Sequence, residues 1–491
     1  MPDLRPVLFA VGVILAMLGC MMLIPVAVDI ATDQAEWRPF LLTAGFTLFT
    51  GTCLTIGARG FEYTLSVQQA FLLTNSVWLA VASFGALPFF FSDVDMSYTD
   101  AFFESMSGIT TTGSTVITGL DGATHGLLIW RALLQWAGGL GIIVMAIAIL
   151  PMLGVGGMQL FQIDSTGPDE KTMPRAAQIT SAVSIIYLAL TLLCTLALWL
   201  AGMTIFEAVA HAMTTIATGG YSTSDMSIGH FNSATIETVI ILFMILGCLP
   251  FVLMWQALRG NAASLFRDSQ IRAFLITVIG VILVMTLWRF GLGGEGSGGS
   301  GRETDFATIL RFSAFNTVSI LTGTGYSSAD YMRWGDFAVV FFFAIMFIGG
   351  CAGSTSCGIK IFRFQVMTAA IRAQVNKLIR PHQIAVTRYN NKPVGNAVVT
   401  SIASFIFIFS ASVGVFTLIL TILGLDFLSA LSGAGTAIAN VGPGLGDIIG
   451  PAGTFASLPD SAKWVLSLGM LLGRLELLTV LVLFSLSFWR R

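Results

Sequence analysis

Four times along 491 residues, a run of Thr, Ser and Gly interrupts otherwise apolar sequence. The runs are SGITTTGST at 107–115, TTIATGGYSTSD at 214–225, SILTGTGYSSAD at 319–330 and the weaker TAIANVGPGLGD at 436–447. Aligned on Gly113, Gly220, Gly325 and Gly442, they are separated by 107, 105 and 117 residues. A small residue (Ala101, Ala208, Ser313 or Ala430) stands twelve positions before each glycine. Self-similarity at a long, nearly fixed period means one structural unit repeated. Any fold for this chain must therefore accommodate four equivalent units.

The sequence between the runs sets their environment. It is 55% hydrophobic and only 10% charged, against about 25% charged in soluble domains, so the chain reads as a polytopic membrane protein. Apolar stretches of about 20 residues cross a bilayer, and they cross it as helices because no water is there to satisfy the backbone. Each unit has one plan. A long apolar helix (66–91, 180–202, 271–290, 396–424) leads to a segment too short to cross (101–111, 206–217, 309–321, 428–439). The polar run follows, and then a second long apolar stretch (126–153, 235–257, 337–371, 464–489).

Residues 1–60 add two transmembrane helices outside the repeat, and the first apolar run, 7–28, is too long for a signal-peptide core. The expected fold is an all-α membrane protein. It has four pseudo-symmetric helix–pore-helix–filter-loop–helix repeats around one pore, at 61–160, 161–260, 261–392 and 393–491, plus the two N-terminal helices. That gives ten membrane helices and four re-entrant half-helices.

Charge orients the chain. Residues 358–393 hold seven basic residues and no acidic one, which marks a cytoplasmic connection. The polar runs then face the other side, beside Asp93, Asp95, Asp121, Asp225, Asp330 and Asp447. Together these carboxylates would concentrate cations at an outer mouth; singly, each also suits an ordinary solvated loop. A net charge of −2 gives no reason to expect a nucleic-acid partner. The six cysteines show no metal or redox spacing and read as buried, reduced and inert. The four histidines show no metal spacing either, and 291–304 reads as a flexible Gly/Ser linker.

Irregular backbone at membrane depth is tolerated only where it is buried in protein or lines a watery cavity. Four such loops around an axis can aim carbonyls inward, and a ring of carbonyls replaces the water shell of a monovalent cation. Glycine lets the backbone take the positive φ this needs. A single run would also suit a small-residue helix contact; four at near-equal spacing favour a filter. The candidate filter residues are Thr111, Thr112 and Gly113; Thr218, Gly219 and Gly220; Gly323, Thr324 and Gly325; and Asn440, Val441 and Gly442.

The segments TTTGS, ATGGYST, TGTGYSSAD and the divergent ANVGPG resemble the filter loops of the Trk/Ktr/HKT superfamily of potassium transporters, in its bacterial TrkH branch, over essentially the whole chain. The resemblance implies potassium uptake across the bacterial inner membrane, with K+ as the transported ion and no organic cofactor. Glycine at all four central positions goes with potassium in that superfamily, and serine in the first loop with sodium. The resemblance also implies a homodimer and a TrkA-like cytosolic nucleotide-binding ring as regulator. The chain itself carries no Walker-type GxxxxGK[ST] motif.

Two further features bear on gating. GGCAGSTSCGIK at 349–360 interrupts the second helix of the third unit, and such small residues do not hold a straight helix. It suits either a close-packed small-residue contact or an unwound intramembrane loop below the filter. The resemblance implies the loop, whose displacement opens the pathway, with Gly349, Gly350, Gly353, Ser354, Thr355, Ser356 and Gly358 within it and Lys360 at its cytoplasmic end. Arg474 lies deep in the last apolar stretch with Glu476 two residues on, and a mid-span charge normally faces a cavity or a partner. We read Arg474 as facing the pore near the gating loop. Arg131 reads as snorkelling or paired, and Glu104 as a brace for the first half-helix. The competing function is a proton- or sodium-coupled cation symporter, for which Glu237 and Glu476 are the main intramembrane carboxylates. An enzyme is not expected, since no catalytic constellation is found.

Overall fold

The computed structural model describes residues 3–34, 36–60, 66–148, 172–291, 305–382, 386–390 and 392–490. Most of the Gly/Ser linker (292–304) and the 149–153 end of one apolar stretch lie outside these residues. From the N-terminus, α1 (Arg5–Met21) and α2 (Leu23–Ala31) form one apolar span and α3 (Trp37–Gly57) the next. The first unit comprises α4 (Val67–Gly85), α5 (Leu87–Phe91), half-helix α6 (Tyr98–Ile109) and α7 (His125–Ala148). The second comprises α8 (Thr172–Leu200), half-helix α9 (Ile205–Ile216), α10 (Ala234–Gly247) and α11 (Phe251–Leu258). In the third, α12 (Ala263–Arg267) and α13 (Ser269–Gly291) precede half-helix α14 (Phe306–Thr322), α15 (Asp336–Ile345) and α16 (Ile361–Ile379). A small hairpin, β1 (Arg388–Tyr389) and β2 (Lys392–Pro393), leads to the fourth: α17 (Asn396–Ile422), half-helix α18 (Phe427–Ala439), α19 (Asp460–Arg474), α20 (Leu478–Leu481) and α21 (Leu486–Trp489).

The half-helices start where a side chain satisfies orphan amides. Ser97 accepts from the Asp100 amide, Thr204 from that of Glu207 in a full capping box, and Asp426 from that of Ser429. The half-helices begin one to three residues before their expected starts, and in these three the cap rather than the hydropathy sets the boundary. The twelve-before positions Ala101, Ala208, Ser313 and Ala430 are all fully buried, which is why they are small.

Among the described residues, seven helices are long and apolar enough to cross a membrane, and two bent pairs pass the same test together. Three of the four second apolar stretches are broken. In the second unit α10 and α11 meet at 97°, where Pro250 brings no N–H to continue the ladder. In the fourth, the chain turns by 107° after Arg474, where Glu476 and Leu477 both take positive φ. In the third, α15 and α16 flank the 349–360 segment, which is not helical. Each bent pair counted as one span gives up to nine among the described residues, against the ten expected.

Four ion pairs join different elements, limiting the cost of charge at these depths. Arg131 Nε lies 2.8 Å from Glu104, Arg311 Nη2 2.7 Å from Glu237, Lys463 Nζ 2.5 Å from Asp100 and Arg363 Nη2 2.5 Å from Glu476. The N-terminal pair also caps the first unit. Asp29 accepts from the Gly126 amide at 2.6 Å and Gln34 from the His125 amide at 2.7 Å, at the start of α7.

Gly473 packs α19 against α18, with the Ile438 carbonyl and, at 2.7 Å, Asn440 Oδ1 where a Cβ would stand. Gly473→Ala is therefore expected to cost roughly 1–3 kcal/mol of stability, read as a lower unfolding temperature in detergent. Gly414→Ala, in a helical position with open space around it, is expected to leave that temperature unchanged or raise it.

Candidate functional site

Each half-helix is closed by the same backbone device. Thr112, Gly219, Thr324 and Val441 donate their amides to Ser107, Thr214, Ser319 and Thr436, five residues earlier, at 2.8–3.1 Å. This is the Schellman closure, which needs a left-handed residue just past the helix. Thr111 (φ 54°), Thr218 (φ 51°), Gly323 (φ 76°) and Asn440 (φ 52°) supply it. Left-handed β-branched threonines are outliers, costing about 1–3 kcal/mol each, and persist only where the surroundings over-determine them.

Two residues on, Gly113, Gly220, Gly325 and Gly442 are again at positive φ, between 81° and 109°. A Cβ on Gly113 would collide with the carbonyl oxygen of Gly219, one on Gly220 with that of Thr324, and one on Gly325 with that of Val441. On Gly442 it would lie 2.8 Å from the carbonyl oxygen of Thr112. Each unit's glycine thus abuts the carbonyl before the next unit's glycine, and the fourth returns to the first. The four loops close a ring, and the helix C-termini, with their partial negative charge, end beside it.

Side chains knit the ring in the opposite sense. Ser114 Oγ donates to the Gly442 carbonyl at 2.7 Å, Tyr221 Oη to that of Glu104 at 2.8 Å and Tyr326 Oη to that of His211 at 3.3 Å. In the same sense as the glycines, Asn440 Nδ2 donates to Thr112 Oγ1 at 2.8 Å. Behind the ring, each half-helix also holds the outgoing limb of its own loop. Glu104 accepts from the Val116 amide, His211 Nε2 meets Ser222 Oγ and Asn316 bonds Ser328, all at 2.9–3.2 Å. In the fourth unit Gly433 stands at the matching position, and the neighbouring Ser432 holds Leu445 instead. This common brace is built from four residue types, so a search for a shared charge finds nothing. Arg131, buried, ties Glu104, Thr115 and the Ser222 carbonyl and lies 4.0 Å over the Tyr221 ring.

A cavity of about 290 Å³ borders all four ring glycines, with Arg131 and Asp225 in its wall. Of the six outer carboxylates, only Asp225 lines it; that residue holds the Gly119 and Leu120 amides, while Asp330 pairs with Arg333. The collective acidic mouth is thus reduced to one wall residue in this cavity.

On the other side of the ring lies the 349–358 segment. Its ends are pinned by a short parallel bridge, with the Gly349 amide on the Ile359 carbonyl at 2.9 Å and the Ile359 amide on that of Phe347 at 3.0 Å. It docks on the kink between α10 and α11. The Cys351 amide bonds the Cys248 carbonyl, Thr355 bonds that of Gly247 and the Gly353 carbonyl takes the Phe251 amide. The broken helix and the unwound loop thereby satisfy one another's backbone. Ser354 donates to the Cys351 carbonyl, Ser356 Oγ accepts from the Gly350 amide, and Lys360 Nζ donates back to the Ser356 carbonyl.

Within the loop, Cys357 meets the ring, with its Sγ 3.7 Å from Thr111 Oγ1. Arg474, the last residue of α19, donates to Cys357 Sγ, to the Thr355 carbonyl at 3.4 Å and to the Gly138 carbonyl at 3.2 Å. The structure therefore brings Arg474 and the loop together, while Glu476 turns away to Arg363. The cysteine expectation holds only in part: Cys194, Cys248, Cys351 and Cys357 are buried, Cys20 and Cys53 are exposed, and all six are free.

Residues 40–490 match the TrkH family, described as cation transport protein. The chain is 45% identical over 487 residues to the Trk system potassium uptake protein TrkI of Halomonas elongata, covering 99% of this chain and 97% of that one. It is 36% identical over 493 residues to the Trk system potassium uptake protein TrkH of Escherichia coli K12, covering 99% of each. Its structure matches the crystal structure of the potassium transporter TrkH from Vibrio parahaemolyticus with a TM-score of 0.90 at 35% identity, over 100% of both chains.

Arg131→Met would strand the Glu104 carboxylate in the protein interior, an expected loss of about 3–5 kcal/mol. Adding Glu104→Gln is expected to recover part of it, giving a double mutant more stable than Arg131→Met alone by thermal unfolding in detergent.

Proposed function

Because the chain belongs to the TrkH family of cation transport proteins, we propose that its four-loop ring is a potassium-selective filter, gated from below by the 349–358 loop. The protein is a potassium uptake transporter, multi-pass in the bacterial inner membrane, and not an enzyme. The observation that carries the filter reading is the cyclic closure of four glycines on four carbonyls.

Carbonyl oxygens of Thr112, Gly219, Thr324 and Val441, with those around them, replace the hydration shell of K+ as it enters. The half-helix C-termini add negative potential at the same place. The four ring glycines leave no side chain at the constriction. Beneath, Arg474 opposes a passing cation and anchors the loop through Thr355 and Cys357. An open pathway needs the loop moved from this position, and α16, which starts directly after Lys360, is the lever that could move it. A TrkA-like cytosolic nucleotide-binding ring, acting on the basic 358–393 segment of a homodimer, would pull on that lever.

The coupled-symporter reading is weaker. Its two carboxylates, Glu237 and Glu476, are both committed to arginines, at 2.7 and 2.5 Å, and a proton- or sodium-coupling site needs a carboxylate free to change partners.

The test is flux in liposomes loaded with potassium, driven by a potassium gradient, with sodium then substituted outside. K+ flux well above Na+ flux is expected, and Gly113→Ser should narrow the ratio by roughly tenfold, about 1.4 kcal/mol of discrimination. Equal fluxes, or flux only with a proton gradient, would discard the pore. Arg474→Ala is expected to raise K+ flux in the same assay, since it removes both the charge and the loop's anchor.

A further inference from the structure

The four ring carbonyls are not held alike. Three of the residues that carry them have branched side chains that fix the local backbone. Thr112 Oγ1 bonds Thr110 Oγ1 and Asn440 Nδ2, both at 2.8 Å; Thr324 Oγ1 bonds Thr322 Oγ1 at 2.8 Å; and Val441 is β-branched and fully buried. The second unit has Gly219 there, followed by Gly220, so its loop contains the least constrained backbone of the four. Nothing in the backbone requires this glycine, since Gly219, unlike Gly220, does not take a positive φ.

What occupies the missing side chain's place is Gln135, from α7 of the first unit. A Cβ on Gly219 would stand 2.5 Å from Gln135 Oε1 and 2.8 Å from its Nε2. Gln135 is fully buried. Its Nε2 donates to the Gly219 carbonyl at 2.6 Å, and its Oε1 accepts from the Tyr221 amide at 3.0 Å. A carbonyl cannot donate and an amide N–H cannot accept, so these partners fix which way the carboxamide points. Among the described residues, the matching carbonyls of Thr112, Thr324 and Val441 accept no side-chain hydrogen bond.

We propose that Gln135 is a positioning residue for ion selectivity, supplying in trans to Gly219 the restraint that Thr112, Thr324 and Val441 supply for themselves. One lone pair of the Gly219 oxygen is engaged by Gln135 and the other remains for the ion. The carboxamide thereby sets the direction of that carbonyl and clamps the peptides around Gly220. The proposal rests on the reading of the ring as a K+ filter.

The experiment compares the full-length wild type, Gln135→Ala, Gly219→Thr and the double mutant by K+ and Na+ flux in liposomes, with thermal unfolding measured in parallel. Gln135→Ala should retain K+ flux while its K+/Na+ ratio falls roughly threefold to tenfold, the size of one lost hydrogen bond to a buried group. Gly219→Thr alone should lose K+ flux, because its side chain collides with the carboxamide. The double mutant should regain the K+/Na+ ratio, because the introduced threonine side chain fills the vacated space. A ratio unmoved in Gln135→Ala overturns the proposal, even if that variant is less stable. So does a double mutant no more selective than Gln135→Ala; if Gln135→Ala does not fold, a double mutant with no more flux than Gly219→Thr overturns it. Wild-type protein that does not favour K+ would instead overturn the filter reading itself.

Discussion

The structure is organised by one constraint: a backbone that stops being helical inside a membrane must find its hydrogen-bond partners within the protein. Each half-helix ends at that depth, and each meets the constraint with the same five-residue back-bond and a left-handed residue at the same place. The strain at Thr111 and Thr218 follows from this, since a left-handed threonine costs less than an unpaired amide in a dry interior. The ring is what remains when four such endings are packed against one another.

The 349–358 loop and the α10–α11 kink obey the same rule from two sides. Neither could stand alone, because Pro250 breaks one ladder and the small residues fail to build the other. Docked together, they pair the Gly247 and Cys248 carbonyls with loop amides. Moving the loop uncovers those carbonyls, so any open state must re-satisfy them with water or another part of the chain. That requirement gives the closed arrangement its hold and links the loop to a helix of a different unit.

Much of this was legible in the sequence, and the reasons for the rest are specific. The ring glycines and the buried positions twelve residues before them are visible because geometry forces one residue type at a fixed interval. The half-helices were visible as apolar segments too short to cross. Of the braces, Glu104 was legible, but those at His211, Asn316 and Ser432 were not, because the geometry asks only for some polar atom of suitable reach and each unit answers differently. Pro250 signals its kink by chemistry, whereas Glu476 and Leu477 have no preference for positive φ and are placed there by the Arg363 pair and the surrounding helices. Gln135 reads as one polar residue in an apolar helix until Gly219 is seen to have made room for it.

The ring's direction has a consequence for how this protein can vary. Each quarter presses its glycine on the carbonyl of the following quarter, so altering one loop disturbs one identifiable neighbour before the others. In an assembly of identical chains every substitution is written four times and the symmetry is kept. Here a single codon changes one quarter alone, so the constriction can be made lopsided by small steps. Exchange of a side chain between two quarters, as at Gln135 and Gly219, is a kind of divergence open only to a ring encoded in one chain.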